Sequence, residues 1–74
     1  MNWQEHISTD PKIMFGKPCI KGTRIPVDLI VEKLGYGETI EYLLTAYPTL
    51  KKEDVLACLL YAADSVRNEI IYAA

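Results

Sequence analysis

The chain has 74 residues, half of them apolar, and a formal net charge of −2. So short a chain builds one small core, which excludes a large cofactor enzyme; so high an apolar fraction excludes a disordered tail. A pI near 5.2 argues against a strongly basic nucleic-acid domain.

The first 25 residues read as short extended pieces and turns. Trp3 to Ile7 is weakly extended, and Ser8-Thr9-Asp10-Pro11 punctuates it. Ile13-Met14-Phe15 is a short apolar run stopped by Gly16-Lys17-Pro18. Cys19-Ile20, a Lys21-Gly22 turn and Thr23-Arg24-Ile25 follow, and Gly22 supplies the positive φ of a tight turn. Arms of two or three residues are unstable alone. They must lie against helices or pair with another chain. Between Lys12 and Arg24 there is no acid, so Lys12, Lys17, Lys21 and Arg24 form a basic arm on an otherwise acidic chain. Four cations on a β-arm suit phosphates or a carboxylate-rich protein surface. The plain alternative is a solvated turn kept soluble by lysines. Arg24 also suits a forked bond to Asp28 or Asp54.

From Pro26 the period becomes helical. Val27, Ile30, Val31 and Leu34 form one stripe, with Gly35 as the expected C-terminal cap. Thr39 is the expected N-cap of a second helix whose stripe is Ile40, Leu43, Leu44 and Tyr47, ended by Pro48. A third helix starts near Lys51 or Lys52 and runs to about Tyr72, with Glu53 and Asp54 at its positive end. The expected fold is mainly α: a single domain over residues 1–74, with a β-arm over 1–25 and a three-helix bundle over 26–74. The last two helices have the outline of a helix-turn-helix. Lys51 and Lys52 are the cations of its second helix, but Glu53 and Asp54 beside them oppose base readout.

Val55 to Ala63 is apolar all round, so this helix needs burial all round. Val55, Leu59, Ala62 and Val66 are expected in the internal core. Leu56, Leu60 and Ala63 then need a second surface, on a second copy or a partner, unless the β-arm covers them. Ile70, Ile71 and Tyr72 extend that apolar surface. The longest apolar run is nine residues, too short to cross a bilayer. No signal-peptide pattern is present, and a reduced, cytoplasmic protein is expected.

Catalytic signals are sparse. His6 lacks a sequence-evident partner and reads as a surface residue. Cys19 and Cys58 lie 39 positions apart, outside any Cys-x-x-Cys pair, and Cys58 sits in the apolar helix as inert packing. Gly16-Lys17-Pro18 lacks the spacing of a P-loop. No enzyme, metal or cofactor is expected.

The run Gly16-Lys17-Pro18-Cys19-Ile20-Lys21-Gly22-Thr23-Arg24-Ile25-Pro26-Val27 resembles the signature of domain-of-unknown-function family 433. Gly16, Pro18, Gly22, Thr23 and Arg24 carry it, with Tyr47-Pro48-x-Leu50 and Glu53-Asp54-Val55 downstream. The resemblance covers roughly Ile7 to Arg67. It implies a homeodomain-like tri-helical fold behind short strands. It also implies an antitoxin related to the VapB type, which forms a homodimer, binds a PIN-like ribonuclease toxin and binds its own promoter DNA. One departure is Lys51, where the family pattern has Ser or Thr before the last helix. A DNA-binding regulator without a toxin, or a bare homodimerisation module, are the alternatives.

Overall fold

The computed structural model describes residues 1–70, and the side chains of residues 1–68. A 3-10 turn at Trp3–Glu5 leads into β1, Ile7–Ser8, which pairs antiparallel with β2, Cys19–Ile20. Ile7 faces Ile20 and Ser8 faces Cys19. Three helices follow: α1 (Val27–Gly35), α2 (Ile40–Ala46) and α3 (Lys52–Ile70). The fold is mainly helical, as expected, with the helix-turn-helix outline formed by α2, the turn around Pro48 and α3.

The N-terminal arm differs from the expectation in two respects. Trp3 to Glu5 is a 3-10 turn rather than an extended piece, because the Asn2 side chain accepts from the Gln4 N–H and caps it. The ladder of β2 runs to β1, while residues 23–25 return alongside it only loosely. Ile20 N–H donates to the Ile25 carbonyl at 3.0 Å, and Cys19 bridges Pro26. The Lys21-Gly22 turn forms as expected, with Gly22 at φ 80° and the Thr23 hydroxyl donating to the Ile20 carbonyl at 2.7 Å.

Each helix end has a local cause. α1 stops in a Schellman arrangement: Glu38 N–H donates to Lys33 O and Gly37 N–H to Leu34 O. The left-handed residue is Gly37, at φ 94°, and Gly35 stays helical. The expected cap was thus two residues early. The hydrophobic contact that usually closes this motif is replaced by a Lys33–Glu38 ion pair at 3.6 Å. At α2, the Thr39 hydroxyl accepts from the Tyr42 N–H at 3.1 Å, the N-cap expected of it. At α3, Lys51 has no capping oxygen. Instead Asp54 reaches back and accepts the Lys51 N–H at 2.9 Å. This is the second half of a capping box working without the first.

The core joins all parts of the chain. Ile7, Cys19 and Ile20 from the hairpin, Val27 and Ile30 from α1, Leu43 from α2, Leu50 from the turn, and Val55, Ala57 and Cys58 from α3 are buried. Two-residue strands persist because their side chains are locked among the helices.

α3 has three faces. Val55 and Cys58 enter the core. Asp54, Ala57, Tyr61 and Asp64, spaced three, four and three apart, form a second stripe that meets the N-terminal segment. Trp3 stands edge-on to Tyr61 with ring centroids 5.0 Å apart, and its Nε1 donates to Asp64 Oδ2 at 2.6 Å. The arm thus covers part of the helix, but not the stripe from Leu56 through Leu59, Leu60 and Ala63 to Val66. Leu59 and Val66, expected inside, are 39% and 53% exposed. Tyr61 lies closer to the core than either, because Trp3 supplies it with a neighbour.

Candidate functional site

Two surfaces carry features beyond those a small core requires. The first is the basic arm. Lys12, Lys17, Lys21 and Arg24 are all exposed. Lys17 Nζ lies 3.0 Å from Asp28 Oδ2, a pair open to solvent on both sides, so it contributes little to stability. Arg24 makes neither of the forked bonds expected of it. Asp28 is engaged by Lys17, and Asp54 by His6 and the Lys51 N–H. Arg24 instead lines a small cleft of about 390 Å³ with Ser8, Ile13, Gly22 and Thr23. The Gly-Thr-Arg signature therefore has a structural part, Gly22 and Thr23 in the turn, and an exposed cation.

Three hydrogen bonds tie this arm to the start of α3. Lys21 N–H donates to His6 O at 2.8 Å. His6 Nδ1 lies 3.0 Å from Asp54 Oδ1; a carboxylate only accepts, so Nδ1 carries the proton. Asp54 Oδ2 receives the Lys51 N–H. The relay links the turn bearing Lys21 to the helix end bearing Lys51 and Lys52, which are exposed. Asp54 is turned inward by these bonds, leaving Glu53 as the exposed acid of that helical turn. His6 is a tether here, half-buried, and not the surface residue its isolation in sequence suggested.

The second surface is the uncovered stripe of α3. Leu60 and Ala63 are exposed and Leu56 is half-buried. Leu59, Ala62, Ala63, Val66 and Arg67 line a shallow depression of about 490 Å³. The side chain of Ile70, and Ile71 with Tyr72, lie outside the described residues. Tyr47 is half-buried against the core and Pro48 follows at the exposed turn.

Neither thiol is poised for chemistry. Burial pushes the Cys58 thiol up to about 12, with the Asp54 charge adding to it. Burial also raises Cys19, with Asp28 adding and Lys17 opposing. Both are inert packing groups. Among the described residues, no cluster of three or more His, Cys, Asp or Glu side chains is arranged for a metal ion. No helix among them is long and apolar enough to cross a membrane.

Sequence reasoning missed Trp3, His6 and Asp64, whose partners lie far along the chain. It also missed Phe15. Met14, Phe15 and Gly16 all have positive φ (50°, 58° and 83°). They form a left-handed turn that holds Phe15 wholly exposed. An aromatic directly before Gly16, on an arm too short to bury it, was the available signal.

The sequence and the fold both match known proteins. The chain is 32% identical over 59 residues to the uncharacterized protein y4eO of Sinorhizobium fredii, covering 80% of this chain and 27% of that protein. A shorter match, 67% identical over 24 residues, is to an uncharacterized protein of Archaeoglobus fulgidus. A crystal structure of a DUF433 member from Anabaena variabilis superposes with a TM-score of 0.80 at 32% identity, covering 88% of this chain and 64% of that one. This chain therefore spans about a quarter of the first relative and under two thirds of the solved one. Residues 7–62 match the sequence pattern of the family described as "Protein of unknown function (DUF433)", so the chain belongs to the DUF433 family.

Proposed function

We propose that this protein is the antitoxin-like partner in a toxin–antitoxin pair, a non-catalytic cytoplasmic module that masks a PIN-like ribonuclease. The observation that carries the reading is the apolar stripe of α3, which nothing among the described residues covers. A marginal 74-residue domain keeps such a stripe at a cost in solubility, and partner surfaces are where such stripes persist. The basic arm supplies the second element. Lys12, Lys21 and Arg24 are exposed cations without an ion pair among the described residues, suited to the carboxylate-rich site of a metal-dependent nuclease. The class of partner comes from the family resemblance. Masking is steric and electrostatic, with no bond made or broken.

The test is binding and inhibition of a PIN-like ribonuclease that co-purifies with the protein at fixed stoichiometry. Lys21→Glu with Arg24→Glu reverses two exposed charges. It should weaken that complex about tenfold or more, mainly through slower association, and leave the melting temperature unchanged. Full affinity in the double variant removes the arm from the mechanism. Failure to recover or inhibit any such nuclease removes the reading itself.

A second reading, promoter DNA binding, is favoured by one feature: Asp54 is engaged internally and opposes Lys51 and Lys52 less than its sequence position suggests. Lys12, Lys17, Lys21, Arg24, Lys51 and Lys52 are six cations, so the log–log salt slope should be no steeper than about −5. No binding at low salt ends this reading.

A further inference from the structure

We infer that the N-terminal arm binds single-stranded nucleic acid, with Phe15 stacking on a base and the cleft beside Arg24 taking the neighbouring phosphate. The inference does not rest on the ribonuclease reading. It differs from promoter binding in needing unpaired bases rather than a duplex.

The ring is the leading observation. Phe15 is 100% exposed, in a run where Met14, Phe15 and Gly16 take φ of 50°, 58° and 83°. Neither Met nor Phe favours that region, and such strain is kept where a functional surface uses it. Three successive turn bonds order the loop: Ile13 N–H to Asp10 O at 2.9 Å, Gly16 N–H to Ile13 O at 3.0 Å and Lys17 N–H to Met14 O at 3.1 Å. A ring fixed in advance loses little freedom when a base stacks on it.

The phosphate site lies beside it. Arg24 lines the cleft of about 390 Å³ with Ser8, Ile13, Gly22 and Thr23. Ile13 to Phe15 spans at most about 7 Å, so ring and cleft are within reach of one nucleotide. Arg24 brings a guanidinium fork and Ser8 a hydroxyl, both donors to phosphate oxygens. Lys12 and Lys21 are exposed and, like Arg24, have no ion pair among the described residues. Lys17 is paired with Asp28 and adds no free charge. Asp10, the one acid of the loop between the strands, accepts the Lys12 N–H.

Ring and charge together select the occupant. A carboxylate-bearing protein surface would meet the cations and leave the ring unused. An apolar surface would meet the ring and bury the cations. A single strand offers both phosphates and open base faces. In a duplex those faces are closed by stacking, and opening a step costs free energy. With three free cations on a chain of net charge −2, the contact is weak and salt-sensitive.

Fluorescence anisotropy of labelled octathymidylate and octauridylate, titrated with the full chain at low salt, reads this directly. Dissociation constants of about 1–100 µM are expected, with a log–log salt slope of about −2 for three phosphate contacts on a single strand. Phe15→Leu keeps an apolar side chain without the π-face and should weaken binding about tenfold, whereas Phe15→Trp should retain it. Phe15→Gly, at a fully exposed position and with its positive φ relieved, should lose as much as Phe15→Leu. Arg24→Gln should flatten the salt slope by about 0.7. Lys51→Gln with Lys52→Gln should leave the affinity unchanged, so the helix-turn-helix face is read separately. Either strand supports the inference where binding requires the ring, and the tighter one identifies the sugar. No anisotropy change with either strand overturns it. So does full affinity in Phe15→Leu and Phe15→Gly. A duplex bound as tightly as the single strands overturns it too, moving nucleic-acid binding to Lys51 and Lys52.

Discussion

His6 Nδ1 and Asp54 Oδ1 lie 3.0 Å apart although 48 positions separate them in the chain. The other oxygen of the same carboxylate caps the Lys51 N–H. One side chain therefore caps the start of α3 and anchors the N-terminal arm. Asp54→Ala removes both bonds at once and should cost about 1–3 kcal/mol. His6→Ala removes only the tether and should cost less. A double-mutant cycle by urea denaturation measures the His6–Asp54 interaction itself; strictly additive losses would show that this tether contributes nothing.

Trp3 is the only tryptophan in the chain, so its fluorescence reports the docking of the arm on α3. Asp64→Asn keeps the shape but weakens the bond from the indole N–H. A red shift of emission and a stability loss of about 1 kcal/mol are expected. Trp3→Phe keeps the edge-on contact with Tyr61 and should lose a similar amount, whereas Trp3→Ala should lose about 2–3 kcal/mol, as the ring is only half-buried. Equal losses for Phe and Ala would show that the aromatic contact contributes nothing.

The left-handed turn makes an unusual prediction for an apolar loop. Met14→Gly and Phe15→Gly relieve positive φ and should each raise stability by about 0.5–1 kcal/mol in dilute solution, net of glycine's greater unfolded-state entropy. Phe15→Val puts a β-branched residue into the same conformation and should lower it. Thermal melts decide the order; a destabilised Phe15→Gly would mean that the turn is unstrained.

Cys58 ties stability to alkaline pH. The folded state holds its proton to about 12, against an ordinary value of 9.0. Its contribution is full below pH 9, where the unfolded thiol is also protonated. It falls as pH rises from 9 toward 12, with a slope approaching ~1.4 kcal/mol per pH unit. Cys58→Ala should flatten the pH profile above 9 relative to wild type. Identical slopes in the two proteins would show that the thiol ionises freely in the folded state.

What the residues encode locally is legible in the amino-acid sequence alone. The 3.6-residue stripes of α1 and α2, the Thr39 cap, the Gly22 turn and the stop at Pro48 involve groups a few positions apart, and steric preference over that range decides them. Even the cap shift from Gly35 to Gly37 is a local matter, since both glycines permit a left-handed end and hydrogen bonding selects one. The orientation of α3 is not legible in this way. From Val55 to Ala63 every position is apolar, so no phase singles out an inner face. Only the tertiary structure chooses one, by placing Trp3 against Tyr61 and Asp64, and His6 against Asp54. Those pairs span 48 to 61 positions along the chain, where loop closure rather than periodicity brings residues together. Burying Tyr61 beside Trp3 turns Leu59 and Val66 outward. The exposure of Phe15 is also a tertiary outcome: Ile7, Cys19 and Ile20 of the hairpin fill the core, while the turn between the strands leaves the Phe15 ring outside it.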